Sequence, residues 1–136
     1  MGIDAIISAA KEQKLSLRDT AHLLAIARHE SGFNPYAAAG PSSASGIGQF
    51  IEATGQMYGL TNVTRWNIDA QAHALVRVFK DYQVKVRDNN LSESYVYKYH
   101  YDGLNSKVDK GKGLAIGKKD VYPQIEPISK AIENIF

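Results

Sequence analysis

His29-Glu30-Ser31-Gly32-Phe33-Asn34-Pro35, which opens into the loop over residues 36–49, is the stretch from which the fold is read. The residues before it have helical spacing. Leu23 and Ala27 stand four apart, and Glu30 takes the next place on the same stripe in an i, i+4, i+7 pattern. A carboxylate therefore closes an otherwise apolar face. Ser31-Gly32 breaks the helix there, and Asn34, directly before Pro35, is held extended. An acid with apolar walls and an open mouth suits general acid chemistry, because desolvation favours its protonated form.

Outward from this point, Ser16 is the expected N-cap of the helix that ends at Glu30, with Asp19 favouring its first turn. Leu17, Ala21, Leu24 and Arg28 form a second line along it. A first helix is expected over 3–14, with Ile3, Ile6 or Ile7, and Ala10 on one side. The segment 34–48 is rich in Ala, Ser, Gly and Pro, which lets backbone approach a ligand and supplies short hydroxyls. Composition alone favours a floppy surface loop. A short helix over 49–58, stopped by Gly59, follows. After Trp66 comes the strongest periodicity, over 67–87. Ile68, Ala72, Leu75, Phe79, Tyr82 and Val86 make an apolar stripe that marks a core helix without a catalytic role.

Tyr95-Val96-Tyr97-Lys98-Tyr99-His100-Tyr101 reads two ways. Alternating tyrosines suit a strand, whereas Ser92 as cap and Gly103 as stop suit a helix with Val96, Tyr99 and His100 inward. The helical context favours the helix. Its tyrosines are either core or faces for stacking on sugar rings. Residues 104–120, with five lysines and three glycines, are expected to be a solvated, mobile basic loop. A phosphate loop is excluded there: no glycine stands five before Gly117, and Lys119 replaces the Ser or Thr. The tail over 121–136 is expected to be helical, with Ile125, Ile128, Ile132 and Phe136 inward, Pro123 at its start and Pro127 delaying or kinking it.

At 136 residues the chain is expected to be a single domain over 1–136. No apolar run reaches membrane-span length, and the apolar stretch 2–10 lacks the basic region of a signal peptide. Without cysteine, disulfides and thiolate catalysis are excluded. The net charge of +2 permits an anionic partner without demanding one. His22 and His29 lie about 10 Å apart on a helix, too far to share a metal. There is no Gly-x-Ser-x-Gly elbow, and no helix gathers its Lys and Arg on one face for nucleic acid.

The motif Glu30-Ser31-Gly32-Phe33-Asn34-Pro35, followed by Ser43-Ala44-Ser45-Gly46-Ile47-Gly48-Gln49-Phe50, resembles the signature of the soluble lytic transglycosylase family. That signature is Glu-Ser-x-Phe-x-Pro, then a small-residue loop ending in Gly-hydrophobic-x-Gln. Asn67-Ile68 at the head of a long helix resembles the third block. His100-Tyr101-Asp102-Gly103 falls where the family usually has Tyr-Asn-x-Gly. The resemblance covers 23–103.

The resemblance implies a mainly α, lysozyme-like fold with a substrate groove. It also implies cleavage of the β-1,4 bond between N-acetylmuramic acid and N-acetylglucosamine in peptidoglycan glycan strands, with a 1,6-anhydro product. Glu30 would give a proton to the glycosidic oxygen and then take one from the C6 hydroxyl, a double role that needs a pKa near working pH. Gln49 matches the family's substrate-binding glutamine, with Ser45 and Gly46 beside it. No cofactor or metal is expected. Two departures stand out. His100 replaces the tyrosine that usually bonds the acid, leaving Tyr99 or Tyr97 to fill that role, and Ser43 replaces a usual glycine. The Ser-Ser-Ala and Gln-Phe-Ile variants resemble bacteriophage and secretion-associated members, so the expected setting is a phage particle or lysis enzyme acting on the wall in the periplasm, as a monomer without nucleic acid or membrane insertion. The rivals are a lysozyme-type hydrolase, which needs a second carboxylate about 5–9.5 Å from the first, with Glu52, Asp69 and Asp102 as candidates, and a non-catalytic wall-binding module.

Overall fold

The computed structural model describes residues 2–38, 44–50 and 52–136, with Glu52 described by its backbone alone. The helices are α1 (Gly2–Glu12), α2 (Leu17–Ser31), α3 (Glu52–Met57), α4 (Ile68–Asp88), α5 (Val96–Asp102), α6 (Gly113–Ile116) and α7 (Ile125–Ile132). Among the described residues there is no strand, only isolated bridges joining Ser45 to Ala38 and to Phe50. The mainly helical expectation holds.

α2 sits at the centre. Every residue from Thr20 to Ala27 is buried, so the helix is enclosed all round through its middle rather than along one stripe. It packs against α7, α1 and α4. Ser16 caps it by accepting the Asp19 N–H at 3.1 Å. Gly32, at φ 59°, closes it in the left-handed conformation and returns its N–H to the Arg28 carbonyl. α4 carries the expected stripe, but Ala74, Val76 and Val78 are buried too, because α1 and α5 both lie against it.

Several expectations are corrected. α1 turns Ile3 outward and buries Gly2, where a Cβ would lie 2.5 Å from the Phe33 carbonyl oxygen. Only a bare backbone lets α1 approach the end of α2 so closely. The short helix runs from Glu52 rather than Gln49, since residues 45–50 are a bridged turn and Ile51 lies outside the described residues. The tail turns Phe136 largely outward, with the Lys11 ammonium 5.8 Å from its ring centre. Pro127 lies in the first turn of α7, where no intrahelical N–H bond is lost.

The largest correction concerns residues 104–120. From Gly113 the chain is helical, passing through a π-helical turn (Gly117–Val121) into α7. Gly113 and Gly117 are buried against α5: a Cβ on Gly117 would meet the Tyr97 Cβ at 3.2 Å. The first half is pinned as well. The Lys98 side chain, 1% exposed, donates to Asp102 Oδ2 (3.0 Å), Ser106 Oγ (2.9 Å) and the Lys110 carbonyl (2.8 Å). Asp102 Oδ2 also accepts the Gly113 N–H at 3.1 Å. A buried ammonium needs all its donors used, and the segment wraps to supply the acceptors.

Two stability predictions follow from these buried groups. Lys98→Met leaves Asp102 unpaired and should cost about 3 kcal/mol in urea unfolding; a loss below about 1 kcal/mol would mean that Lys98 does not clasp the segment. His22, buried with its edge on Phe79 and its Nδ1 unbonded, is pushed down to about 4 by burial. The unfolded imidazole takes its proton near 6.5, so stability is full above that pH and is lost as pH falls toward 4, by about 3 kcal/mol. The stability–pH slope of His22→Leu should be shallower in this window; an unchanged slope would contradict the assignment.

Candidate functional site

Glu30 occupies the point where the buried part of α2 comes to the surface. Arg28 and His29 are exposed, while the Glu30 side chain is 16% exposed. It stands on the wall of an open cleft of about 550 Å³, which Gln49, Tyr58, Tyr99 and His100 also line. Tyr101 and the segment after it, through Asn105, line the cleft as well, and the Lys98 clasp holds that segment in place.

The loop after α2 is fixed by polar bonds together with the burial of Ile47 and Phe50. Phe33 follows Gly32 in the left-handed region at φ 68°. Ser31 Oγ donates to the Ile47 carbonyl at 2.8 Å, joining the end of α2 to the second motif. The buried Gln71 amide on α4 holds three segments. Its Oε1 accepts the Ile47 N–H at 2.9 Å, and its Nε2 donates to the carbonyls of Pro35 (3.0 Å) and Arg65 (2.8 Å). Gly46, at φ 81°, lies so close that a Cβ would meet Gln71 Oε1 at 2.8 Å. That position therefore needs glycine for both its angle and its space.

Of the residues singled out from the sequence, Glu30, Gln49, Tyr99 and His100 meet at the cleft. Gln49 adopts φ 53° and its amide donates to the carbonyls of Ala37 (3.2 Å) and Gly46 (2.9 Å). Ser45 lies apart in an adjoining pocket, its hydroxyl accepting from Arg65 Nη2 at 2.9 Å. Tyr97 is buried, and its hydroxyl donates to Glu30 Oε1 at 2.7 Å. Of the two tyrosines left open by the sequence, Tyr97 is the one that reaches the carboxylate. Burial, then the Glu30 charge, pushes its phenol up, which keeps it a donor. Ser43 lies outside the described residues.

Sequence reasoning missed Gln71 and Tyr82 as site-building groups. Gln71 stands four before Leu75, so it is a polar residue on the buried line of α4. That misfit was a legible signal, since a buried amide must find partners. Among the described residues no group of His, Asp and Glu is arranged to hold a metal, and no helix is long and apolar enough to cross a membrane.

The mainly helical architecture is of the lysozyme-like class. The chain belongs to the Transglycosylase SLT domain family, whose model matches residues 5–83. Comparison with curated proteins and with solved structures gave no match. The family acts on peptidoglycan, in the cell wall, as lytic transglycosylases. The matched region includes Glu30, Gln49 and Gln71 but ends before α5, so the places of Tyr97, Tyr99 and His100 rest on this structure alone.

Gln71→Leu should strand the Ile47 N–H and two carbonyls and lower stability by about 3 kcal/mol. Denaturant unfolding measures this, and a loss below about 1 kcal/mol would mean that the loop is held by other contacts.

Proposed function

We propose that the chain, acting as one catalytic domain over 1–136, is a lytic transglycosylase that cuts the β-1,4 bond between N-acetylmuramic acid and N-acetylglucosamine and leaves a 1,6-anhydromuramic end. The observation that carries this reading is the Glu30 carboxylate on the cleft wall, with the Tyr97 hydroxyl on its Oε1. A donor on Oε1 favours placing the acid's proton on Oε2. From there it passes to the glycosidic oxygen as the bond to the muramic C1 breaks. The C6 hydroxyl of the same sugar then attacks C1, and its proton returns to Glu30. One residue serves both steps and no water is consumed.

The acidic residues on the cleft wall support this over hydrolysis. Among the described residues lining the cleft, Asp102 is the only carboxylate besides Glu30, and it is engaged by Lys98 and the Gly113 N–H. Asp69 is exposed in the first turn of α4, away from the cleft lining, and the Glu52 side chain is outside the described residues. A hydrolase would need a second carboxylate free to act. Gln49 and Tyr99 are the side chains we assign to sugar contact, with Ser45 and Tyr97 one layer back. The Ser42-Ser43-Ala44 and Gln49-Phe50-Ile51 variants, which resemble those of bacteriophage and secretion-associated members, support a phage particle or lysis enzyme that acts on the host wall.

Mass spectrometry of digested peptidoglycan tests the chemistry: 1,6-anhydro ends are expected, and reducing ends would make the protein a hydrolase. Glu30→Gln should abolish turnover, by about 10³-fold or more, while preserving glycan binding; an active variant would remove Glu30 from its role. Tyr97→Phe should lower turnover roughly 10- to 100-fold.

A further inference from the structure

His100 stands where the sequence resemblance places a tyrosine, yet Tyr97 has taken the bond to Glu30. What His100 does instead can be read from its partners. Its side chain, 4% exposed, sits among four parts of the chain: Glu30 of α2, the loop at Gly48, Tyr82 of α4 and Tyr97 of its own helix. Nε2 lies 2.7 Å from the Gly48 carbonyl oxygen. A carbonyl only accepts, so Nε2 carries the hydrogen. Burial favours the neutral ring, which makes Nδ1 an acceptor. The Tyr82 hydroxyl, 3.1 Å away, supplies the donor. Phe50, Tyr82 and Tyr97 enclose the ring at centroid distances of 5.6, 5.7 and 5.9 Å.

The peptide group between Gly48 and Gln49 is thus held from both sides: His100 takes its carbonyl, and the Gly46 carbonyl takes its N–H at 3.2 Å. Such fixing is needed, because Gln49 is a side-chain-bearing residue in the left-handed region, a strained conformation that persists only where its surroundings impose it. Glu30 Oε1 is 3.6 Å from the same Nε2, beyond hydrogen-bond reach. The ring N–H therefore serves the loop and leaves the carboxylate to Tyr97.

We infer that His100 is a positioning residue, which as the Nε2–H tautomer clamps the Gly48 carbonyl and thereby holds Gln49 in its place on the lining of the cleft that Glu30 shares. The inference rests on the proposed glycan reading of the cleft for what Gln49 meets, though the clamp itself does not.

The experiment has two arms. Long-range proton–nitrogen NMR of the wild-type protein at pH 7 should show His100 with Nε2 protonated and Nδ1 bare; the opposite tautomer, or a freely exchanging ring, overturns the clamp. Binding of the N-acetylglucosamine tetramer, measured by titration calorimetry on a Glu30→Gln background, should weaken about tenfold or more for His100→Phe, which fills the space without an N–H. It should recover to within about threefold for His100→Gln, which keeps a donor. With Glu30 intact, His100→Phe should raise KM more than it lowers kcat. Unweakened tetramer binding by a folded His100→Phe, or no recovery by His100→Gln, overturns the inference. If His100→Phe does not fold, the tautomer and the His100→Gln affinity decide it. Failure of the transglycosylase reading shows separately, as reducing ends or as turnover by Glu30→Gln, and moves neither arm.

Discussion

A helix buried on every side has to end, and its last turn must leave the core without stranding its carbonyls or its side chains. α2 meets that demand with residues the sequence displays openly. Gly32 turns left-handed and caps the Arg28 carbonyl, Ser31 reaches across to Ile47, and Glu30, partly exposed, stands beside Tyr97 on the cleft wall. Gly2, lacking a side chain, lets α1 close over Phe33 from the other side. The carboxylate's position is thus a consequence of how the central helix is terminated.

Beyond that point the chain has little apolar material with which to build a rigid wall. Residues 44–50 contain two large apolar side chains, Ile47 and Phe50, both buried. Three buried polar side chains do the remaining work. Gln71 holds the loop at Ile47, His100 holds it at Gly48, and Lys98 holds the segment after α5. Each contacts backbone, so each fixes where the chain runs rather than what its side chains are. Fully bonded, such groups contribute only about 1 kcal/mol per bond, but leaving one unbonded costs more. They therefore act mainly by excluding alternative loop paths.

Much of this was legible in the sequence where a period or a motif carries it. The capped start of α2 at Ser16, the break at Gly32, the stripe of α4 and the stop at Gly103 are local signals, and all four stand in the structure. The meeting of Glu30, Gln49, Tyr99 and His100 at one cleft followed from motif resemblance. What was not legible depends on contacts distant in sequence. Composition made 104–120 a mobile loop, because its lysines and glycines look solvated. Yet Gly113 and Gly117 are small in order to pack on α5, and Lys98 consumes carbonyls that a solvated loop would give to water. Tyr97 could not be chosen over Tyr99 from spacing, since a helical turn and the direction of a phenol decide it.

The neighbours of Glu30 share one property. Tyr97 and His100 approach the same oxygen, at 2.7 and 3.6 Å, and both are neutral: burial pushes the phenol up and the imidazole down. Lys98, two residues before His100, is turned away into its own pair with Asp102. A carboxylate oriented by a lysine or arginine would sit beside a full charge that favours its ionised form. The Tyr97 hydroxyl directs the carboxylate without adding a full charge. On the proposed mechanism Glu30 must be an acid in one step and a base in the next, so its carboxylate has to keep one orientation through both. Asp102 can lie on the same cleft wall without competing as a second free carboxylate because Lys98 and the Gly113 N–H occupy it. The clasp that holds the segment after α5 therefore also leaves Glu30 as the only carboxylate without a lysine or arginine partner among the described residues of that wall.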